Sequence, residues 1–234
     1  MNRYKIFNND YLKLIQKMKD NSIDLIITDP PYKTTKRGGT GNSGGMCKNK
    51  NFSNGNGGFE NNDVKISEFV PELYRVLKDN SHCYIMTNHV NLQEMLNTTT
   101  ECGFHFIKCL IWDKGNKIMG QCYMSQFEYI LFLRKGKHKK INNCGTADIL
   151  SVPNKKTKDE NGNNLHNVEK PVELMRILVE NSSNENDIIL DPFMGIGSTG
   201  IACLQLKRKF IGIELDENYF NIAKNRIEGA VNND

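Results

Sequence analysis

The chain has 234 residues, of which 38% are hydrophobic and 25% are charged, with a formal net charge of +4. These proportions are ordinary for a globular protein, and the length allows one domain with a full core. No run is apolar enough to span a bilayer and the first ten residues do not read as a signal peptide, which argues against a membrane-spanning or secreted protein. We therefore expect it in the cytoplasm.

The cysteines form no CxxC pair, although the chain has seven of them. Several stand in apolar runs, such as Cys109 in FIKCLIW and Cys203 in GIACLQL. Cysteines in such runs are typical of small buried side chains that keep reduced thiols. The sequence therefore favours a reducing compartment, and we expect no zinc site and no other metal site.

Apolar strands and amphipathic helices alternate in the first half of the chain. YKIFNND and SIDLIITDP are predicted strands, and the second is apolar throughout, as a parallel sheet buried on both faces requires. DYLKLIQKM, ISEFVPELYRVLK and VNLQEMLNTTTECG are predicted helices, the last of them closed by Gly103. SHCYIMTN is a further strand, and FHFIKCLIWDK with SQFEYILFLRKG predicts two antiparallel strands that finish the sheet at an edge.

The second half of the chain repeats this order. KPVELMRILVENSS predicts a helix that turns Leu174, Ile177 and Leu178 inward. DIILDPF and KFIGIEL are predicted strands, and GSTGIACLQLK and ENYFNIAKNRIEG are predicted helices. Strands that alternate with helices in this way indicate a doubly wound α/β sheet.

Two segments interrupt the alternation. Residues 33–62 are rich in Gly, Asn, Ser and Lys and hold too few apolar residues to build a core. So long a loop in a compact domain is either functional or disordered, and we expect this one to be flexible. Residues 136–165 are polar and basic and form a second, smaller insertion.

A glycine-rich turn follows the strand DIILDPF. Gly195, Gly197 and Gly200 satisfy the pattern GxGxxG between a strand and a helix, and Glu214 stands at the end of the next strand. In this context the glycines let the backbone turn tightly under a ligand, and the glutamate can accept hydrogen bonds from both ribose hydroxyls. The pattern predicts a cofactor that carries a nucleoside; a purely structural turn beside a solvated glutamate is the alternative.

The charge beside the turn bears on which nucleoside cofactor binds. A dinucleotide places its pyrophosphate on the helix N-terminus. S-adenosylmethionine has no phosphate and carries an ammonium group that a carboxylate can meet. Asp191, just before the turn, supplies a carboxylate where a dinucleotide fingerprint normally has apolar strand. The residue favours S-adenosylmethionine, but the turn alone does not decide.

The strand SIDLIITDP runs into Asp29-Pro30-Pro31-Tyr32. Prolines cannot donate to a sheet ladder, so the strand stops at the carboxyl edge, where open α/β sheets bind their ligands. The exocyclic amine of a nucleobase is a poor nucleophile because its lone pair is delocalised into the ring. A carboxylate and a backbone carbonyl that accept its N–H groups free that lone pair, and Tyr32 can stack on a flipped-out base. Together the two motifs decide for S-adenosylmethionine.

TDPPY and LDPFMGIGSTG, with KPVEL between them, resemble the β group of DNA amino-methyltransferases over nearly the whole chain. The resemblance implies a circularly permuted S-adenosylmethionine-dependent methyltransferase fold, with a doubly wound, mostly parallel seven-stranded sheet and one antiparallel edge strand. Family members whose tetrapeptide begins with aspartate mostly methylate adenine N6, and those with serine mostly methylate cytosine N4. The expected protein is a site-specific DNA adenine-N6 methyltransferase with a single domain over residues 1–234.

The resemblance also assigns roles to individual residues. Asp29 and the Pro30 carbonyl hold the target amine together with Pro31, and Tyr32 stacks on the base. Asp10 accepts from the adenine amine of the cofactor, and Glu214 lies on its ribose. The expected cofactor contacts are Asp10, Asp29, Lys170, Asp191, Phe193, Gly195, Gly197, Ser198 and Glu214.

Basic runs supply candidate contacts to DNA. RKGKHKK, NKKTK and LKRKF are each consistent with a solvated loop, but three such runs together favour a nucleic-acid partner. We expect the loop 33–62 to close over the flipped nucleotide, and the insertion 136–165 to recognise the target sequence through base contacts. The expected phosphate contacts are Lys33, Lys36, Arg37, Lys137, Lys139 and Lys140.

Alternatives stay open on the sequence alone. Within the class, the enzyme could methylate cytosine N4. In a different class, GxGxxG could serve a nicotinamide-dependent oxidoreductase, and related enzymes act on RNA or on protein amides. A non-catalytic DNA-binding module would need a broken site, yet every expected catalytic residue is present. Double-stranded DNA is the expected partner, single strands are not excluded, and the resemblance adds a homodimer and a cognate restriction endonuclease as further candidates.

Overall fold

A mixed β-sheet forms the centre of the computed structural model, which describes residues 3–31, 64–118, 123–158, 162 and 169–232. Helices cover both faces of this sheet. Within the described ranges the strands are β1 (Tyr4–Asn8), β2 (Ile23–Thr28), β3 (Leu77–Thr87), β4 (His105–Ile118), β5 (Ser125–Lys135), β6 (Ile149–Ser151), β7 (Ile188–Asp191) and β8 (Lys209–Glu214). The helices are α1 (Tyr11–Ile15), α2 (Ile66–Val76), α3 (Leu92–Glu101), α4 (Val172–Ser182), α5 (Ser198–Gln205) and α6 (Glu217–Asn232).

The strands lie in the order β1-β8-β7-β2-β3-β5-β4-β6. All neighbours pair in parallel except β5, which is antiparallel to both β3 and β4. The doubly wound α/β class is therefore confirmed. Strands β2 and β7 are neighbours although far apart in the chain, so the ends of both sequence motifs meet at the carboxyl edge of the sheet.

The observed sheet differs from the expected one in two details. The described residues form eight strands rather than seven, and the antiparallel strand β5 lies inside the sheet rather than at its edge. The eighth strand is β6, which pairs in parallel with the outer side of β4, for example Ile149 opposite Ile111. Strand β5 is interior because it lies between β3 and β4. Without β6 the outer backbone groups of β4 would form an unpaired edge.

Strand β2 supplies side chains to two cores. Leu25 and Ile27 pack on the side of α4, α5 and α6, and Ile26 packs on the side of α1, α2 and α3. Because both faces are covered, each of these positions is apolar, and burying each side chain contributes about 1.5–3 kcal/mol. The two cores hold the end of β2, and with it Asp29, in a fixed place.

Helix α3 ends as predicted at a left-handed glycine. Gly103 has a φ of +98°, and a Cβ there would lie 3.0 Å from the Tyr74 hydroxyl. Both the backbone and the close neighbour therefore require glycine at this position.

The five described cysteines are all free thiols. Cys83 and Cys203 are buried, as expected from their apolar runs, whereas Cys102 and Cys109 are half-buried and Cys144 is exposed. Across the described ranges, no three His, Cys, Asp or Glu side chains are grouped so that they could hold a metal ion. No described helix has both the length and the apolar surface that crossing a membrane requires.

The described part of the polar segment 136–165 includes a strand of the sheet. It begins at the amino end of β3, where the Lys137 amide donates to Asn80 Oδ1 at 2.8 Å. Its middle forms β6, and Val152 just beyond is buried in the core. Because β6 is parallel to β4, residues 152–158 emerge at the carboxyl edge of the sheet. Part of the segment is therefore structural.

Candidate active site

A cavity of about 540 Å³ opens at the carboxyl edge of the sheet. Its wall combines the ends of β2 and β7, so the structure brings the two sequence motifs together. We call the part around Asp191 and Glu214 the cofactor end and the part around Asp29 the catalytic end. The predicted site residues that line the cavity are Asp10, Asp29, Pro30, Pro31, Lys170, Asp191, Phe193, Gly195, Ser198 and Glu214.

Asp191 is the last residue of β7 and anchors the glycine turn. Its Oδ1 accepts from the Phe193 amide at 3.1 Å and from the Thr28 hydroxyl at 3.2 Å, and its Oδ2 accepts from the Thr199 hydroxyl at 2.7 Å. Burial raises the pKa of Asp191 to about 7 against the pull of these donors, and the charge of Asp29 adds to the rise. One buried carboxyl group thus joins β2, the turn and α5.

Glu214, at the end of β8, reaches the same turn. Its Oε2 accepts from the Gly195 amide at 2.9 Å, and its Oε1 accepts from the Asp216 amide at 2.9 Å. Burial raises the pKa of Glu214 above its ordinary value. A carboxylate has about four acceptor positions, so both oxygens keep room for further donors such as hydroxyl groups.

Two glycines of the turn adopt backbone conformations that favour glycine. Gly195 has a φ of +52° and Gly197 a φ of +82°. Gly197 is not among the residues of the cavity wall, and a Cβ there would lie 3.0 Å from Ile227 Cδ1. In this structure Gly197 lets α5 pack closely against α6, and its expected contact to the cofactor stays a prediction.

Asp10 and Phe193 lie on the wall of the cofactor end. Asp10 caps α1, since its Oδ1 accepts from the Lys13 amide at 3.1 Å. Phe193 packs against the rings of Tyr11 and Phe69, with centroid separations of 4.6 and 5.7 Å. Both side chains are held by the protein before any ligand arrives.

Glu169 is a buried acid on the cavity wall beside the turn, and the sequence analysis did not single it out. It accepts from the Thr157 amide at 2.7 Å, from Arg226 Nη2 at 2.7 Å and from the Ser198 hydroxyl at 3.4 Å. Arg226 also donates to the Ile196 carbonyl within the turn at 2.7 Å. This cluster fixes Ser198 and the turn from behind. Its members come from four separate parts of the chain, so no local motif announces it.

Asp29 follows β2 directly and lies at the catalytic end. Its side chain keeps 24% of its surface exposed, and its Oδ2 accepts from the ammonium of Lys170, which is 9% exposed. Oδ1 is buried and accepts no hydrogen bond from any described residue. Burial raises the pKa of Asp29; the Lys170 ammonium opposes this rise and the Glu128 carboxylate adds to it. Lys170, expected at the cofactor, thus lies on the carboxylate that the sequence analysis expects to be catalytic.

Glu128 and Lys114 extend this ion pair into a chain of four alternating charges. Lys170 Nζ lies 3.4 Å from Glu128 Oε2, and Lys114 Nζ lies 2.5 Å from Glu128 Oε1. Burial alone would raise the pKa of Glu128, but the two ammonium groups outweigh it and bring the pKa below its ordinary value. Sequence reasoning missed both residues because the β4–β5 hairpin carries no motif. The one signal in the sequence is a charge two positions from Ile130, on the strand face that also buries Phe132.

Several predicted residues lie outside the described ranges, so their roles stay predictions. The loop 33–62 lies there as well, and its expected closure over a nucleotide is untested by the structure. The site residues concerned are Tyr32, Lys33, Lys36 and Arg37.

The structure does not bring the lysines of RKGKHKK to the cavity. In the β3–β5 pair, Tyr129 lies opposite Thr87 at the carboxyl edge of the sheet, and Lys135 lies opposite Ser81. Six residues of strand span roughly 20 Å. Strand β5 therefore runs away from the cavity toward these lysines, and their expected phosphate contacts stay predictions. The lysines concerned, at the opposite edge, are Lys137, Lys139 and Lys140.

Known proteins match this chain over most of its length. Residues 23–225 match the family N6_N4_Mtase, described as DNA methylase. The chain is 30% identical over 244 residues to Type II methyltransferase M2.DpnII of Streptococcus pneumoniae, covering 97% of this chain and 90% of that relative. It is 29% identical over 245 residues to Type II methyltransferase M2.MboI of Moraxella bovis, covering 95% of this chain and 87% of that relative.

Solved structures agree with this assignment. The crystal structure of the M1.HpyAVI–SAM complex aligns with a TM-score of 0.70 at 28% identity, covering 95% of this chain and 99% of that chain. The cytosine-N4-specific PvuII DNA methyltransferase aligns with a TM-score of 0.75 at 15% identity, which supports the fold alone; it covers 99% of this chain and 92% of that chain. Fold and site together define a methyltransferase. The chain belongs to the N6_N4_Mtase family of DNA methylases.

Proposed function

We propose that the protein transfers a methyl group from S-adenosylmethionine to the N6 amino group of a specific adenine in DNA. The observation that carries this proposal is the buried Oδ1 of Asp29, which has no partner among the described residues and lies in the same cavity as the glycine turn. A buried acceptor without a donor is costly. It therefore points to a donor that arrives with the substrate, and the exocyclic N–H group of a base fits.

The cofactor end suits S-adenosylmethionine, which supplies a methyl group on a positively charged sulfur when bound. Asp191 and Glu214 retain acceptor positions for an ammonium group and for ribose hydroxyls. With Asp10 and Asp29, they place four acidic side chains around the cavity, which favours a cation over a pyrophosphate. The Gly195 amide, which would face phosphate in a dinucleotide site, is already bonded to Glu214. These contacts speak against the nicotinamide-dependent alternative.

At the catalytic end, we assign the work mainly to positioning. Asp29 and the Pro30 carbonyl accept the two N–H groups of the target amine and so direct its lone pair toward the methyl group. A hydrogen bond to a charged carboxylate is shorter and stronger than one to a neutral acceptor. Asp29 need not remove a proton first, because the nitrogen becomes acidic once it gains the methyl group. Tyr32 is proposed to stack on the base.

We place the DNA along the carboxyl edge of the sheet. There Lys155 and Lys158 are exposed on the segment that follows β6, beside the Lys156 ammonium that donates to the Glu169 carbonyl at 2.6 Å. This segment takes the DNA-facing role that we expected for all of 136–165. The loop 33–62, with its basic residues, is proposed to close from the other side.

Further partners and location stay proposals. Double-stranded DNA is the proposed substrate, with single strands as a second form to be tested. The Type II names of the relatives support a role beside a restriction endonuclease, and the proposed cytoplasmic location follows from a DNA substrate. A homodimer is proposed from the family resemblance alone.

Methyl transfer to unmethylated genomic DNA tests the proposed function. The protein is incubated with S-adenosylmethionine carrying a labelled methyl group and with duplex or denatured DNA, and the nucleosides are identified by mass spectrometry. We expect N6-methyladenine, and about 10³-fold less of it with Asp29→Ala. The control is Asp20→Asn, which removes an exposed partner of Arg75 and should leave transfer unchanged.

Three outcomes are informative. N4-methylcytosine would overturn the assignment of adenine while leaving the site chemistry in place. No labelled nucleoside despite cofactor binding would contradict DNA as the substrate. Undiminished transfer by Asp29→Ala would remove Asp29 from the mechanism.

A further inference from the structure

Lys170 lies between two carboxylates at the catalytic end. Its ammonium is hydrogen-bonded to Asp29 Oδ2 and is 3.4 Å from Glu128 Oε2. Glu128 Oε2 is buried and accepts no hydrogen bond from the described residues. The lysine is thus hydrogen-bonded to one acid and forms a longer ion pair with the second, whose Oε2 accepts no hydrogen bond from the described residues.

The position of Lys170 on Asp29 conflicts with the proposed chemistry. The target amine must use the same carboxylate that the ammonium already occupies. In addition, the amine nitrogen gains positive charge as it takes the methyl group, and a neighbouring ammonium opposes that charge. Productive binding of the base is therefore favoured when Lys170 moves away from Asp29.

We propose that Glu128 is a positioning residue that receives the Lys170 ammonium when the amino group of the target base binds Asp29. The inference rests on the proposed function. It makes Lys170 a latch with two positions, one on each carboxylate. In the first position the ammonium lies on Asp29 and balances its negative charge while no base is bound. In the second position it lies on Glu128 and leaves the Asp29 carboxylate to the substrate.

The geometry of Glu128 suits this role. Lys114 holds the other oxygen, Oε1, at 2.5 Å, so the Glu128 carboxylate is fixed with Oε2 toward Lys170. Glu128 stands on β5, whose next core residue is the fully buried Ile130. The net charge of the site is the same in both positions, because the two carboxylates and the two ammonium groups all stay within it. No charge has to leave the buried site.

The test is a binding cycle between Glu128 and the amino group of the substrate. Two duplexes carry the mapped target site with the target opposite an abasic position, so that neither target base is paired. They differ only at the target, which is either adenine or purine, a base that lacks the amino group. Affinities are measured with S-adenosylhomocysteine present, so that no transfer occurs. We expect the wild-type protein to prefer the adenine duplex about tenfold, the size of a hydrogen bond to a charged acceptor.

The variant Glu128→Gln should lose most of this preference, leaving about threefold or less, while its affinity for the purine duplex stays within about twofold of wild type. The matched control Asp148→Asn, which breaks an exposed ion pair with Lys108, should keep the full preference. If the role of Glu128 is only structural, Glu128→Gln should bind both duplexes more weakly by the same factor and keep the preference for adenine. That result would overturn the inference. A wild-type protein that binds the two duplexes equally would instead contradict the proposed function.

A second measurement needs no variant, in case Glu128→Gln does not fold. A crystal structure of the wild-type protein with S-adenosylhomocysteine and the adenine duplex should place Lys170 Nζ nearer to Glu128 Oε2 than to Asp29 Oδ2. An ammonium that stays on Asp29 while the target amine is bound there would refute the latch.

Discussion

At the cofactor end of the cavity, every carboxylate oxygen of Asp191 and Glu214 already accepts a hydrogen bond from the protein. At the catalytic end, by contrast, Asp29 Oδ1 and Glu128 Oε2 accept none from the described residues. The first arrangement is formed in advance, so a cofactor meets a rigid site and loses little affinity to ordering it. The second arrangement leaves Asp29 Oδ1 open for a substrate that arrives later, and Glu128 Oε2 open beside the Lys170 ammonium.

This difference follows from how each end is built. The cofactor end comes from consecutive elements, β7, α5 and β8, which pack on one another and share backbone amides. The catalytic end comes from the end of β2, from the paired strands β4 and β5 and from the residues just before α4, whose charged side chains meet there. Binding of the cofactor and chemistry on the base should therefore respond to different substitutions.

The largest expected effect comes from removing the buried Arg226–Glu169 ion pair that supports the cofactor end. Arg226 is 15% exposed and Glu169 is 2% exposed, so Arg226→Met leaves a buried carboxylate without its cation. We expect the free energy of unfolding to fall by about 3 kcal/mol, together with weaker cofactor binding. Chemical denaturation and a cofactor titration measure the two effects.

Arg176→Met provides the matched control for Arg226→Met. It removes an exposed partner of Glu173 and should change stability by less than about 0.5 kcal/mol. If Arg226→Met left both stability and cofactor affinity unchanged, the cofactor end would not depend on this buried pair.

The pKa of Asp191 sharpens the comparison through pH. Only the ionised form can meet an ammonium group, and in the protein without cofactor the pKa is raised to about 7. Cofactor affinity should therefore fall about fivefold to tenfold as the pH is lowered from about 7.5 to about 6. Asp191→Asn should bind more weakly and lose most of this slope. If the wild-type protein bound the cofactor with the same affinity at every pH in this range, Asp191 would not meet the ammonium group.

The smallest expected effect comes from the lysines beside the catalytic end that we propose contact DNA. Lys155→Gln with Lys158→Gln removes two exposed charges beside the cavity, and Lys137→Gln with Lys139→Gln removes two at the opposite edge. We expect only the first pair to weaken DNA binding, by about fivefold. The slope of the logarithm of the binding constant against the logarithm of the salt concentration should become shallower by about 0.9 for each phosphate that the variant no longer neutralises. If only the Lys137 and Lys139 pair weakened DNA binding, the phosphate contacts would lie at the lysines that the sequence analysis expected.

The cofactor end could be predicted from the sequence because its rules are local. A buried strand, a turn with Gly195 and a helix follow one another, and Asp191 and Glu214 stand at strand ends where ligands bind. The core position of Trp112 is equally local in origin, within an apolar run: it is 1% exposed, and its Nε1 donates to the Val152 carbonyl at 2.8 Å.

The other features could not be predicted, because they depend on how the strands pair in the folded sheet. Glu128 and Lys114 meet Lys170 only because β5 pairs antiparallel between β3 and β4 and the segment before α4 crosses the same edge. Strand β6 has only three residues, too few for a period-two pattern to stand out in a polar segment. The lysines of RKGKHKK were assigned by composition, which does not say at which end of β5 they lie.

Cofactor affinity and methyl transfer, measured side by side in Asp29→Asn and Asp191→Asn, test the separation of the two ends most directly. We predict that Asp29→Asn binds the cofactor within about threefold of wild type but transfers methyl groups about 10³-fold more slowly in a single turnover. Asp191→Asn should bind the cofactor about tenfold more weakly, yet transfer within about tenfold of wild type once the cofactor is saturating. Parallel losses of binding and of transfer in both variants would contradict the account.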